Sequence, residues 1–79
     1  MKIEAKPVNL RLRDALREWR RGLAKELGMP AYIILHDATL DGICRRAPKS
    51  IPELCEIPGI GEKKAERFGA AILKVVAQA

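Results

Sequence analysis

Metal-binding residues are scarce in this sequence: one His and two Cys stand in 79 residues. A structural zinc site needs four such ligands, and Cys44 and Cys55 lack the spacing of a redox or zinc pair. We therefore expect no metal centre and no cofactor. No phosphate loop ending in Gly-Lys-Ser/Thr occurs, which excludes ATP hydrolysis by these residues. No carboxylate cluster suggests two-metal nuclease chemistry, since the acids are scattered and mostly stand beside bases. Apolar runs fall far short of the ~20 residues a membrane-spanning helix needs, and no charged-then-apolar leader is read, so no membrane partner is expected. Aromatics amount to one Trp, one Tyr and one Phe, little material for the stacking surfaces of single-strand binders. Catalysis by this stretch is not expected.

What is present fits one small domain. Hydrophobic residues make up 48% of the chain, enough for a packed core. A domain of this size buries only about 60% of its unfolded surface. Fifteen Lys and Arg against ten Asp and Glu leave a formal charge of +5, which points to an anionic partner. Both cysteines lie among apolar residues at helical spacing, so they read as reduced, buried side chains of a cytosolic protein.

Residues 1–8 show no apolar period and read as a linker or disordered tail; the domain is expected over 9–78. Leu12, Leu16, Trp19, Leu23 and Leu27 recur at steps of four, three, four and four, one face of an amphipathic helix. Asn9 suits its N-cap and Gly28 its left-handed end. Trp19 reads as a core anchor in preference to a base-stacking residue. The run Tyr32 to Leu35 resembles a buried strand, but no partner strand exists, so a short helical turn or an extended plug is expected. Asp37 should cap a helix from Ala38 to about Ala47, ended by Pro48. Its Leu40, Ile43, Cys44 and Ala47 keep helical steps, and Gly42 invites close packing of a neighbour. His36 beside Asp37 reads as a loop or cap histidine, because no nucleophile accompanies it. Ser50-Ile51-Pro52-Glu53 is a capping box opening a short helix. A last helix runs from after Gly61 to about Ala77, with Ala65, Phe68, Ile72, Val75 and Val76 inward. The expected fold is all-α: a compact bundle of about five short helices.

Ile57-Pro58-Gly59-Ile60-Gly61-Glu62-Lys63-Lys64 carries the sharpest local signal. It reads as a helix-hairpin-helix-like glycine turn with Ile60 inward. Gly59 and Gly61 permit unusual backbone angles and leave amides uncovered at a helix start, where a phosphate is favoured. Such hairpins hold DNA backbone without reading sequence; a tight structural turn is the competing reading. Charge favours the latter. From Ser50 to Arg67 three cations, including Lys63 and Lys64, meet four glutamates, a net of −1.

The positive charge concentrates elsewhere. From Leu10 to Gly28, six cations against three acids leave +3. Arg13, Arg17, Arg21 and Lys25 fall four apart and form a stripe, with Arg20 beside it. Like charges at that spacing destabilise a helix by a few tenths of a kcal/mol per pair, and phosphate contacts are a natural compensation. A solvated face, with Asp14 and Glu18 pairing to Arg17 and Arg21, is the competing reading. Arg45, Arg46 and Lys49 form a second basic cluster. Tyr32 is the aromatic expected at the surface, stacking a base or merely covering the core with its hydroxyl in water.

These residues also carry a family resemblance. Leu16-Arg17-Glu18-Trp19-Arg20, the block from Met29-Pro30-Ala31-Tyr32 to Asp37-Ala38-Thr39-Leu40, the hairpin Ile57 to Gly61, and Lys64-Ala65-Glu66-Arg67-Phe68-Gly69 follow in an order and spacing that resembles the HRDC domain, the helicase-and-RNase-D-C-terminal module. The resemblance covers about Leu10 to Val76. It implies a SAM-like five-helix bundle that is a non-catalytic accessory part of a bacterial RecQ-type DNA helicase, or of RNase D. It further implies weak, salt-sensitive binding of single-stranded or branched DNA through a basic surface in recombination and repair, or docking on other domains of the parent helicase. Tyr32 matches the family's surface tyrosine, and Gly59, Ile60 and Gly61 its hairpin, with Lys63 and Lys64 beside it. The flanking glutamates depart from that pattern. The expected molecule is a monomer in the bacterial cytoplasm or nucleoid. The competing function is a regulatory docking module with little DNA affinity of its own.

Overall fold

The computed structural model describes residues 9–79, so the expectation of a tail over 1–8 lies outside the described residues. The Asn9 side chain accepts the Leu12 amide at 3.1 Å and opens α1, Leu10–Leu27. Gly28, at φ 66°, closes it: its amide and that of Met29 turn back to Lys25 and Ala24 carbonyls. This paired closure needs a left-handed residue. After Pro30, α2 makes one turn, Ala31–Ile34. The helix α3, Asp37–Arg46, has His36 rather than Asp37 at its N-cap, so Asp37 is its first residue. The Asp37 carboxylate is drawn instead to Arg20, 2.9 Å away.

At the end of α3, Ala47 takes φ 45° ahead of Pro48, a left-handed cap built without glycine. Ser50 Oγ then accepts the Glu53 amide at 3.3 Å and starts α4, Ile51–Cys55. Glu53 reaches back to the Lys49 amide at 2.9 Å, one residue beyond the usual capping-box target. The long α5, Glu62–Gln78, follows the glycine turn. Five helices and no strand are formed among the described residues.

Leu12, Leu16, Ile34, Leu35, Leu40, Ile43, Leu54, Ile57 and Ile72 are almost wholly buried. They come from all five helices and the two intervening turns, so a single core ties the elements together. Trp19 lies half-buried at its edge, edge-on to Phe68 with ring centres 6.3 Å apart, a favoured aromatic geometry. Gly42 lets α3 approach the hairpin: a Cβ there would stand 3.0 Å from Ile57 Cγ2. Gly69 does the same between α4 and α5, where a Cβ would stand 2.7 Å from Ile51 Cδ1.

Two packing expectations are corrected. The buried line of α1 is Leu12, Leu16, Arg20 and Ala24; Leu27 is 41% exposed. A helix of 3.6 residues per turn carries the apolar stripe off the core by its last turn. Cys55 is exposed, whereas Cys44 is buried as expected, and both thiols are free. On the short α4, Leu54 takes the inward position and turns its neighbour Cys55 outward.

Candidate nucleic-acid interface

The α1 stripe divides when its partners are seen. Arg13 Nε lies 3.3 Å from Asp41 of α3, both partly buried, so this guanidinium ties two helices together. Arg17, Arg21 and Lys25 are exposed. Arg21 reaches Glu18 only at 3.9 Å, with both side chains in water, an arrangement worth little. Arg17 and Lys25 form no ion pair among the described residues.

Arg20 is a correction to the expected surface set, because it is 8% exposed. Its Nη1 donates to the Leu35 carbonyl at 2.8 Å and meets Asp37 Oδ1 at 2.9 Å. The guanidinium hydrogen bond and charge hold the Asp37 carboxyl below its ordinary value of 3.8. Its Nε is buried without a partner, a cost accepted for bridging α1 to the α2–α3 turn.

Tyr32 stands on α2, just before that turn. The residue is 56% exposed, and its ring lies 6.0 Å from the His36 ring at a 35° tilt. Two shallow depressions meet there. Arg20, Ala31, Tyr32, His36, Asp37 and Ala38 line one, and Asp14, Arg17, Glu18, Arg20, Arg21 and Ala31 the other. Arg20 and Ala31 are common to both, so the structure joins two sequence-predicted features, the exposed arginines of α1 and Tyr32, into one face. His36 belongs to this face too. Sequence reasoning set it aside as a cap residue; its signal was its place four residues after Tyr32, across one turn.

The remaining candidates lie apart from that face. Gly59 adopts φ 97° and packs on α3, where an added Cβ would run into the Thr39 hydroxyl. Thr39 also donates to the Pro58 carbonyl at 3.2 Å, so the hairpin is fastened to α3. Gly61, by contrast, sits in the extended region at φ −89° as the N-cap of α5, with open space around it. Its expected need for unusual backbone angles is not met. Ile60 points inward, 5% exposed. Arg45 and Arg46 line a cleft with Gly42, Ile57 and Pro58, and Lys49 is exposed nearby in sequence. Lys63 is exposed, but Lys64 is a tether. Its Nζ donates to the Ile33 and Ile34 carbonyls at 2.9 and 3.0 Å, closing the C-terminus of α2.

Cationic side chains beside a solvent-facing aromatic make a surface suited to a phosphodiester strand. Asp14, Glu18 and Asp37 interrupt it, which keeps the field modest. No group of His, Cys, Asp and Glu arranged to hold a metal occurs among the described residues. No helix is long and apolar enough to cross a membrane.

A short helical bundle closed by a glycine hairpin defines a class of small accessory domains. The family model described as the HRDC domain matches residues 9–76, and the chain belongs to that family. The third HRDC domain of D. radiodurans RecQ superposes with a TM-score of 0.82 at 43% identity, over 85% of this chain and 88% of that one. The ATP-dependent DNA helicase UvrD2 of Mycobacterium tuberculosis (strain ATCC 25618 / H37Rv) is 41% identical over 61 residues, 77% of this chain and 9% of the helicase. The ATP-dependent DNA helicase RecQ of Bacillus subtilis (strain 168) is 32% identical over 76 residues, 96% of this chain and 13% of the helicase. The chain thus spans about a tenth of the length of such relatives. The chain is thus an HRDC domain, a non-catalytic accessory domain.

Proposed function

We propose that this domain is an auxiliary nucleic-acid-binding module of an ATP-dependent DNA helicase of the RecQ or UvrD2 kind, tuning which DNA the motor engages in recombination and repair. Its compartment is then the bacterial cytoplasm or nucleoid. The observation that carries the reading is the continuous face on which exposed Arg17 and Arg21 share a depression boundary with Tyr32 and His36. Lys25 extends the same stripe, and the guanidinium groups meet phosphates while the tyrosine ring offers a stacking surface. The ligand this favours is single-stranded or branched DNA, held weakly. Arg45, Arg46, Lys49, Lys63 and the hairpin Gly59–Gly61 are secondary candidates, because the hairpin is occupied with α3 and flanked by glutamates.

The test is titration of fluorescently labelled single-stranded and forked DNA at two salt concentrations, with Arg17→Glu, Arg21→Glu and Tyr32→Ala variants. Binding at low salt that falls steeply as salt rises, and is weakened by each variant, is the expected result. Absence of binding at low salt removes the reading.

A further inference from the structure

A second surface lies on the far side of α2. Met29 and Ile33 project there toward the first turns of α5, and between them is a notch of about 110 Å3 lined by Met29, Ile33, Lys63, Lys64, Arg67 and Phe68. It is far smaller than the roughly 300–1,000 Å3 of a small-molecule site; it has room for one side chain. Its floor is apolar and already open to water, Ile33 being 46% exposed. Its rim is cationic, and none of its lining residues is an acid. Arg67 lies over the Phe68 ring, 5.1 Å from its centre, which holds one charge beside the apolar opening.

We propose that this notch docks an acidic protein segment bearing one bulky apolar side chain. The apolar side chain enters between Met29, Ile33 and Phe68, and carboxylates on either side of it pair with Lys63 and Arg67. A nucleobase fits the same space less well. Its polar edge needs partners, the floor side chains offer none, and the carbonyls of Ile33 and Ile34 are taken by Lys64. Glu62 and Glu66 form the adjoining stripe of α5, so a strand charged at every step meets repulsion there. A peptide can place its carboxylates only where the cations are. The pairing of apolar anchor and charged rim is the usual anatomy of a small interface hot spot. This surface is separate from the Arg17–Tyr32 face, so the inference stands or falls independently of the nucleic-acid reading.

The experiment titrates the isotopically labelled 79-residue chain with the synthetic peptide Gly-Asp-Asp-Phe-Asp-Asp-Gly and follows amide and methyl resonances. A peptide with Ser in place of Phe, and a short oligothymidylate, are run in parallel. Shifts are expected at Met29, Ile33, Lys63, Arg67 and Phe68, with a dissociation constant on the order of 100 μM. The Ser peptide, Arg67→Glu and Ile33→Ser should each weaken binding roughly tenfold, while Arg17→Glu leaves it unchanged. A thermal melt of Ile33→Ser matching the parent's separates lost docking from lost folding. No binding, equal binding of the Ser peptide, shifts confined to the Arg17–Tyr32 face, or oligothymidylate moving the notch resonances at lower concentration than the peptide would each overturn the proposal.

Discussion

Arg20 is a charged side chain that the fold has taken out of water, and its consequences differ on its two sides. Removing it returns Asp37, an exposed carboxylate, to solvent at little cost, but strands the Leu35 carbonyl inside the core. Arg20→Ala should therefore cost about 2–3 kcal/mol in urea denaturation. Arg20→Lys should recover less than half of this, because the shorter lysine side chain does not bring its ammonium to the place of Nη1, the one atom that makes both contacts. The pair also sets an acid response. Asp37 titrates below its ordinary value of 3.8, so its contribution is full above that pH and is lost as pH falls through the lowered folded value. Asp37→Asn should flatten this part of the stability–pH curve, which urea denaturation across acid pH measures. The cysteines split as well. Burial, then the Asp41 charge, pushes the Cys44 thiol up, whereas Cys55 is open. A thiol reagent near neutral pH should label Cys55 alone in the folded protein and both in denaturant.

At the scale of the helix ends, the two hairpin glycines do different work, and substitution separates them. Gly59→Ala must put a Cβ at φ 97° against Thr39, and we expect a loss of about 2 kcal/mol or more. Gly61→Ser should instead stabilise by about 0.5 kcal/mol. Its extended backbone suits any residue, α5 lacks a side-chain cap, and serine supplies one while restricting the unfolded chain. Chemical denaturation of both variants measures the contrast. Which elements the sequence foretells follows from the same distinction between local and distant causes. The Asn9 cap, the Gly28 closure, the Ser50–Glu53 pair and the steps of four in α1 act within a few residues, so the five helices are legible. Arg20 and Lys64 are not, because their carbonyl acceptors lie fifteen and about thirty positions away. A cation bound to a buried backbone looks in sequence like any other solvated charge. The left-handed Ala47 and outward Cys55 were hidden for a related reason. The closure before Pro48 and the choice of Leu54 as the inward residue depend on how α3 and α4 meet the core.

For the whole molecule, the question is how much of the +5 charge remains available once the fold has used its share. Arg13 is joined to Asp41, Arg20 to Asp37 and Lys64 to α2 carbonyls, so three of the cations first counted toward a ligand serve the bundle. On the proposed face, Arg17, Arg21 and Lys25 are left. Single strands release roughly 0.7 counterion per neutralised phosphate, so three contacts predict a slope of about −2 for log affinity against log salt. Raising salt about fourfold should then weaken binding roughly twentyfold. Arg17→Ala or Arg21→Ala should each reduce the slope by about 0.7, whereas Lys63→Ala, on the other side of α2, should leave it in place. A slope near −4, as about six contacts would give, would mean that Arg45, Arg46 and Lys49 also face the strand. The DNA would then have to wrap from α1 around α3 rather than lie along one face. Fluorescence titrations at four or so salt concentrations decide between the two paths, since the slope reports contacts made and not charges present.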